Sequence, residues 1–242
     1  MIISSFYLKD FGDLTLSVTH LETQRICKDG KIIPIFATIS PIKNAQGTVI
    51  GACTTAHDIS EQKLLEQKLR DLAEHDALTG LITRRLFLDR VTQACILSKR
   101  NKTHTAVFFI DIDCFKQVND QNCHATGDLL LCAIIKQIKQ CIREIDSLAR
   151  IGGDEFALLL LEMENESSIV NVAKKIMRQC SKVFFINKHN IPITLSMGIS
   201  IFPQDGVRPQ DLLEKADAAM YDVKKHGKNN FKLFNKMQST ER

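Results

Sequence analysis

The sequence lacks any long hydrophobic run. Every apolar stretch is shorter than the ~18 residues that a membrane-spanning helix needs. The first residues, Met-Ile-Ile-Ser-Ser-Phe-Tyr, have neither the basic flank nor the long apolar core of a signal peptide. These absences predict a protein that has no membrane segment in this chain and that resides in the cytoplasm.

An excess of charge of one sign is also missing. The chain has 32 basic and 28 acidic residues, a formal net charge of only +4. It has no array of basic and aromatic residues, so we expect no nucleic-acid partner. Hydrophobic residues make up 44% and charged residues 25% of the 242 positions. This composition predicts a globular protein with room for one full α/β domain and a smaller module.

The eight cysteines include no Cys-x-x-Cys pair. Four of them follow one another at intervals of nine: Cys114, Cys123, Cys132 and Cys141. On a helix nine residues make about two and a half turns, so successive members would face opposite sides. The spacing therefore supports neither a zinc site nor a disulfide framework. It favours reduced, mostly buried thiols.

The pattern of residues 17–60 predicts three antiparallel strands. They cover 17–26, 32–42 and 49–59, and hairpin turns at 28–31 and 44–47 separate them. Asp58 or Ser60 can cap a helix that continues, without Gly or Pro, to about residue 75.

One stripe of that helix is apolar and carries Leu65, Leu69 and Leu72. The stripe either packs on its own domain or forms a coiled-coil seam with a second chain. We favour the dimer seam, because a helix that bridges two domains has little else to bury against.

After residue 76 helices and strands alternate. Helices are predicted at 83–99, 125–143, 166–181 and 209–225, and strands at 105–111, around Gly152-Gly153, at 183–187, 191–201 and 230–234. Long apolar strands with helices between them predict an α/β (α+β) fold, in which helices flank a central mixed sheet with antiparallel portions.

Residues 150–156 read Arg-Ile-Gly-Gly-Asp-Glu-Phe. Two adjacent glycines between apolar runs predict a tight hairpin, and Asp154 and Glu155 lie at its tip. Acids at a turn are often only solvated polar residues. They can also bind a metal or a polyphosphate.

A second acidic position ends the predicted strand 105–111. A carboxylate there either caps the next helix or binds a cation, and for Asp113 the cap is at least as favoured. For Asp111 we favour metal, because Asp154 is available on what could be the adjacent strand. No His or Cys is well placed, so oxygen ligands predict Mg²⁺ or Mn²⁺. Asn119 and Asp128 can read a guanine edge, or they only form turns.

Six blocks together resemble the GGDEF domain of diguanylate cyclases over roughly residues 75–236. The opening residues of the six blocks are Asp76-Ala-Leu-Thr-Gly, Asp111-Ile-Asp-Cys-Phe-Lys, His124-Ala-Thr-Gly-Asp, Arg150-Ile-Gly-Gly-Asp-Glu-Phe, Thr194-Leu-Ser-Met-Gly and Ala216-Asp-Ala-Ala-Met-Tyr. The resemblance implies three segments: an N-terminal segment at 1–59, a linker helix at 60–76 and the GGDEF domain at 77–237.

What the resemblance implies is an adenylyl-cyclase-like palm fold that condenses two GTP into cyclic di-GMP and two pyrophosphates. Carried over by position, the resemblance gives the metal ligands as Asp111, the Ile112 carbonyl and Asp154, and the catalytic residues as Asp154, Glu155 and Lys116. It gives the guanine-binding residues as Asn119 and Asp128. It gives the phosphate contacts as Lys116, Lys224, Lys228 and the amides near Phe115. In-line attack of a 3′-hydroxyl on an α-phosphate needs mainly positioning and charge neutralisation. Which acid serves as general base is left open.

The same resemblance implies a homodimer, because each chain would hold one GTP. It also implies product inhibition by cyclic di-GMP at Arg143 and Asp146, which match an Arg-x-x-Asp site. A guanidinium can grip guanine or phosphate bidentately, while a carboxylate accepts guanine N–H groups. The alternative is that the two are only charges at a helix end.

Three positions depart from the family pattern. Thr83 stands where Asn is usual, Cys123 where Gly is usual, and Lys228 where Arg is frequent. None removes a metal ligand or a guanine reader, so reduced activity is possible but loss is not indicated. The alternative functions are a catalytically weak or inactive GGDEF protein that acts as a cyclic di-GMP receptor, and a palm-type nucleotidyltransferase acting on nucleic acid. No phosphodiesterase domain is expected within these residues.

The N-terminal strands resemble the C-terminal half of a PAS sensor domain. The resemblance lies in Cys27-Lys-Asp-Gly-Lys-Ile-Ile-Pro and in Val49-Ile-Gly-Ala through His57-Asp-Ile-Ser. It covers about 45 residues, and the helical first half of that fold has no room in the first 16.

Overall fold

The computed structural model describes residues 17–237. The first 16 residues of the predicted N-terminal segment therefore lie outside the described part. The chain divides into two compact units between Asp71 and Leu72, inside the predicted linker helix. No helix among the described residues is long and apolar enough to cross a membrane.

The first unit is an antiparallel sheet in the order β1-β2-β3. Its strands are β1 (Thr19–Ile26), β2 (Ile32–Lys43) and β3 (Val49–Asp58). Residues alternate between faces along β2, so Ile33, Ile35 and Ala37 are buried on the same side. The predicted strands and both turns are confirmed.

Helix α1 (Ser60–Glu74) follows directly. The Asp58 carboxylate accepts a hydrogen bond from the backbone N–H of Ser60 at 2.8 Å, which agrees with the predicted cap. No residue of α1 is buried, and its four leucines, at 64, 65, 69 and 72, are each more than half exposed. The apolar stripe is therefore exposed along the helix.

The second unit is built on a six-stranded mixed sheet in the order β11-β10-β5-β7-β6-β4. Its strands are β4 (Ile82–Thr83), β5 (His104–Ile112), β6 (Ser147–Gly152), β7 (Glu155–Met163), β10 (Leu195–Phe202) and β11 (Asn230–Leu233). A separate hairpin consists of β8 (Val183–Ile186) and β9 (His189–Pro192). The helices are α2 (Arg84–Asn101), α3 (Phe115–Asn122), α4 (His124–Lys139), α5 (Glu166–Cys180), α6 (Pro209–Lys225) and α7 (Phe234–Met237).

Strand β5 is buried on both faces, which explains its unbroken apolar run. Phe108 and Ile110 belong to a core shared with α4 and α5, whereas Val107 and Phe109 belong to a second core shared with α2 and α6. Helices thus cover both faces of a central mixed sheet, and the predicted fold class is confirmed.

Two predicted elements were wrong in detail. The helix predicted at 125–143 ends at Lys139, and the short α3 before it was missed. The strand predicted at 191–201 is two strands that break after Pro192: β9 pairs with β8, while β10 joins the central sheet. Thr194 lies in the break, where its backbone carbonyl and hydroxyl both bond to Asp113.

The prediction of mostly buried thiols was also wrong. All eight cysteines are free, as expected, but only Cys95, Cys141 and Cys180 are buried. Four others are exposed, and they include Cys114 and Cys123 on either side of α3.

Candidate active site

The sheet brings the predicted acids together at one end of its central strands. Strand β5 pairs with β7 so that Asp111 lies opposite Glu155, and the Ile112 N–H donates to the Asp154 carbonyl at 3.4 Å. Residues of β5 and of the β6–β7 hairpin that are more than 40 positions apart in the sequence therefore meet where β5 ends and the hairpin turns.

The hairpin tip is held by Arg150. Gly153 adopts a φ of 50°, a left-handed conformation that favours glycine. The Arg150 guanidinium donates to the Gly153 carbonyl at 2.8 and 3.0 Å and forms an ion pair with Asp76 at 3.0 Å. Arg150 thereby fixes the tip that carries Asp154.

Asp76 belongs to a tight turn in which its carboxylate also accepts hydrogen bonds from the Thr79 N–H and hydroxyl. Burial alone would raise the pKa of Asp76, but these bonds and Arg150 together hold it below its ordinary value. The sequence motifs contained Arg150 and Asp76, yet nothing local indicated that they pair across 74 positions.

Burial dominates the electrostatics of the acidic cluster. It raises the pKa of Asp111 to about 6, against the opposing hydrogen bond and charge of Lys224, and the nearby charges of Asp154 and Glu155 add to the rise. The Lys224 ammonium lies 2.6 Å from the Asp111 carboxylate.

Glu155 also has a raised pKa, because it is partly buried and lies near Asp217 and Asp154. Asp217 on α6 has its pKa raised by burial, opposed by the charges of Lys224 and Arg84. Sequence reasoning assigned no role to Asp217 or Arg84. The sequence signal for Asp217 was its place in the block that begins at Ala216, and the signal for Arg84 was its place directly after Thr83.

This donor set fits a hard divalent cation. Four carboxylates, those of Asp111, Asp154, Glu155 and Asp217, interact with three cationic side chains, those of Lys224, Arg84 and Lys228. Such a surplus of buried and half-buried negative charge is relieved by a cation. Within residues 17–237 no three His, Cys, Asp or Glu side chains already surround one point. The predicted metal site needs only two carboxylates, those of Asp111 and Asp154, because the Ile112 carbonyl is its third oxygen donor.

The three predicted phosphate-binding lysines lie in different surroundings. Lys224 is paired with Asp111, and the Lys228 ammonium lies 3.3 Å from the Cys114 sulfur. Lys116 is exposed on the first turn of α3.

Asn119 and Asp128 lie on α3 and α4, which meet at Cys123. The Asn119 side-chain oxygen is buried and has no hydrogen-bond partner among the described residues. Gly127 makes room for it: a Cβ at Gly127 would lie 1.9 Å from that oxygen and 3.1 Å from the Phe115 ring. The Asn119 amide therefore packs against Gly127, and its oxygen is an acceptor that the described residues leave unused. Asp128 is exposed beside it.

Two of the departures have visible local consequences. Cys123, which stands where Gly is usual, has a φ of 72°, so a side chain occupies a conformation that favours glycine. Thr83 precedes α2 without capping it, and its hydroxyl instead donates to the Ala73 carbonyl at 3.0 Å.

Asp113 does not cap α3, contrary to one of the two interpretations drawn from the sequence. Helix α3 begins after Cys114 without a side-chain cap. The Asp113 carboxylate instead accepts from the hydroxyls of Thr194 and Ser196 and from the Asn229 N–H.

Arg143 and Asp146 lie between α4 and β6 and contact each other. The Asp146 side chain is 2% exposed and accepts from the Arg143 N–H at 2.8 Å, from its guanidinium at 3.2 Å and from the Leu161 N–H at 3.1 Å. Clefts of about 450 and 360 Å³ lie on either side of the pair.

Comparison with known proteins gave a consistent result. A family profile described as "Diguanylate cyclase, GGDEF domain" matches residues 73–230. The bifunctional diguanylate cyclase/cyclic di-GMP phosphodiesterase MucR of Pseudomonas aeruginosa is 40% identical over 168 residues, which are 69% of this chain and 24% of MucR. The probable diguanylate cyclase DgcE of Escherichia coli is 32% identical over 231 residues, 94% of this chain and 21% of DgcE. The chain therefore spans less than a quarter of the length of these relatives.

Among solved structures, the coiled coil and GGDEF domain of DgcB from Caulobacter crescentus, in complex with cyclic di-GMP, is similar with a TM-score of 0.65. The two are 27% identical, and the match covers 72% of this chain and 93% of that one.

Proposed function

The chain belongs to the GGDEF family of diguanylate cyclases, and on that premise we propose that it condenses two GTP into cyclic di-GMP and two pyrophosphates. The observation that carries the proposal is the acidic cluster of Asp111, Asp154 and Glu155 at the meeting point of β5 and the β6–β7 hairpin. Asn119 lies in the same unit.

Asn119 and Asp128 select the base. The unpartnered Asn119 oxygen accepts an N–H of guanine, and the exposed Asp128 carboxylate accepts another. Adenine presents fewer donors on the corresponding edge, and it would leave the buried acceptor without a partner. This supports GTP rather than ATP as the substrate.

Asp111, Asp154 and the Ile112 carbonyl hold the cation, Mg²⁺ or Mn²⁺. When bound, such an ion supplies positive charge at the phosphates and favours ionisation of the attacking hydroxyl. Glu155, whose pKa is raised by burial, is suited to hold a proton at its carboxylate during the reaction. Lys116, Lys228 and the amides near Phe115 neutralise and orient the triphosphate.

Lys224 has two proposed partners, the Asp111 carboxylate and the phosphates of GTP. Its ammonium lies 2.6 Å from the Asp111 carboxylate and neutralises it. Asp111 would also be a ligand of the cation, which would supply positive charge there and leave the Lys224 ammonium free for phosphate. Lys224 therefore holds the acidic cluster together without GTP and contacts the substrate with it.

Catalysis requires a homodimer, because each chain binds one of the two GTP molecules. Helix α1 is the proposed seam, and its four leucines support this, since each is more than half exposed. The solved structure of DgcB, described as its coiled coil and GGDEF domain, offers a parallel.

Cyclic di-GMP is proposed to inhibit its own synthesis at Arg143 and Asp146. The half-exposed guanidinium offers donors to a phosphate or a guanine, while Asp146 holds it in place. The DgcB structure contains cyclic di-GMP.

The N-terminal sheet is proposed as part of a PAS-like sensor segment, with the three segments 1–59, 60–76 and 77–237. The alternating burial of β2 and its two hairpin turns support this. We place the protein in the cytoplasm, where GTP is available and eight free cysteines stay reduced.

The decisive experiment incubates the purified protein with GTP and Mg²⁺ and separates the nucleotides by chromatography. Cyclic di-GMP should accumulate, and Asp111→Ala and Asp154→Ala should each abolish it. Near-normal turnover in either variant would overturn the metal assignment. Binding of cyclic di-GMP by wild type without any turnover would instead support the receptor.

A further inference from the structure

Asp113 is a buried acid to which the proposed reaction gives no task. It is 6% exposed and forms no salt bridge within residues 17–237. Its carboxylate accepts hydrogen bonds from the Thr194 hydroxyl at 2.6 Å, the Ser196 hydroxyl at 2.7 Å and the Asn229 N–H at 3.1 Å. A buried carboxylate is costly unless it is bonded in this way, so the three donors define its position.

The Asn229 bond reaches a backbone segment in an unusual conformation. Residues 227–229 connect α6 to β11, and their φ values are 107°, 62° and 47°. The glycine adopts this region freely, but for Lys228 it is disfavoured. A non-glycine residue stays there only where its surroundings hold it.

Two hydrogen bonds hold this segment. The Lys228 N–H donates to the Val223 carbonyl at the end of α6, at 3.0 Å, and the Asn229 N–H donates to Asp113. One end of the segment is thus attached to the helix, and the other to the strand that carries Asp111.

The Lys228 side chain extends towards the same strand end. Its ammonium lies 3.3 Å from the sulfur of Cys114, the residue that follows Asp113. Asp113 is therefore linked to both partners of the Lys228–Cys114 contact. It is the chain neighbour of Cys114, and it accepts a hydrogen bond from Asn229, the chain neighbour of Lys228.

We propose that Asp113 is a positioning residue: by holding the 227–229 segment it places the Lys228 ammonium beside the nucleotide triphosphate. The inference rests on the proposed function, in which Lys228 contacts phosphate. Asp113 itself touches no substrate. The Ser196 hydroxyl bonds to the same carboxylate but belongs to β10, so it provides a matched control for the loss of a buried hydrogen bond.

The test is a double-mutant cycle on nucleotide affinity. The probe is 3′-deoxy-GTP with Mg²⁺, which lacks the attacking hydroxyl and cannot react, and calorimetry measures its Kd. Lys228→Ala should weaken binding about tenfold, as the loss of one charge-assisted hydrogen bond does. Asp113→Ala should weaken it by a similar factor, and the double variant should bind no worse than Lys228→Ala alone.

Controls separate positioning from general destabilisation. Ser196→Ala should lower the Tm while changing the Kd less than about twofold, since Lys228 keeps its place. Asp113→Asn should restore affinity, because its amide oxygen still accepts from Thr194 and Asn229 while its NH₂ donates to Ser196. If Asp113→Ala fails to fold, Asp113→Leu, which keeps the volume but not the acceptor, replaces it.

Two results would overturn the inference and leave the proposed function intact. In the first, the losses of affinity caused by Asp113→Ala and Lys228→Ala multiply in the double variant. In the second, Ser196→Ala weakens binding as much as Asp113→Ala does. Failure of wild type to bind the probe would instead refute the proposed function. Unchanged affinity in Lys228→Ala would remove the premise that this lysine contacts phosphate.

Discussion

Gly127→Ala should separate stability from function. Gly127 lies in the first turn of α4, where alanine is favoured over glycine by about 1 kcal/mol. The added methyl would lie 1.9 Å from the Asn119 oxygen, closer than the 3.0 Å below which real Cβ contacts essentially never occur. The Asn119 amide must therefore move by at least 1.1 Å, the difference between the two distances.

Moving Asn119 should cost little stability, because its oxygen has no partner to lose. The Phe115 ring, at 3.1 Å, has to give way by a few tenths of an ångström, which offsets part of the helix gain. We expect a free energy of unfolding within about 1 kcal/mol of wild type. The displaced amide should lose its bond to guanine, worth about 1–3 kcal/mol or roughly 5- to 150-fold in GTP affinity.

The assay pairs urea denaturation with calorimetric titration of 3′-deoxy-GTP. Asn119→Ala provides the control background, since it removes the two atoms closest to the added methyl and leaves only the milder contact with the Phe115 ring. In that background Gly127→Ala should have no further effect on affinity. GTP affinity that survives Gly127→Ala in the otherwise wild-type chain would refute the assignment of Asn119 as the guanine reader.

Three further predictions concern the dimer, feedback and pH. Leu69→Asp should lower specific activity and make it more sensitive to dilution, because it places a charge in the α1 seam; rates per chain that ignore concentration would contradict this. Arg143→Ala should keep the initial rate but stay linear longer in a progress curve, whereas equal inhibition of both proteins by added cyclic di-GMP would assign Arg143 to a structural role only. Burial raises the pKa of Asp111 from 3.8 to about 6, so the native state holds this proton more tightly than the unfolded chain. Its contribution is fully present below pH 3.8 and is lost as pH rises through 6, a change of about 3 kcal/mol without divalent cations. In Asp111→Asn the free energy of unfolding, measured by urea titration, should change less between pH 4 and 7 than in wild type. An equal change in both proteins would show that another group titrates.

Most of the secondary structure followed from local patterns. The apolar run of β5 and the glycine pair of the β6–β7 hairpin are properties of neighbouring residues, and propensity and turn chemistry act over that range. The same holds for the cap at Asp58, whose partner is two positions away. Where a long-range contact intervened, as at Thr194, the predicted strand was wrong.

The sequence by itself determined the family and the fold class and predicted three acids of the candidate site, Asp111, Asp154 and Glu155, because these depend on residue types at fixed spacings. Only the tertiary structure decided which of these residues pair. It joined Arg150 to Asp76, Lys224 to Asp111 and Asp113 to Asn229, over separations of 74, 113 and 116 positions. It also left the Asn119 oxygen unpartnered against Gly127. Sheet register and helix packing set these distances, and they arise from burial of the whole core rather than from any local segment.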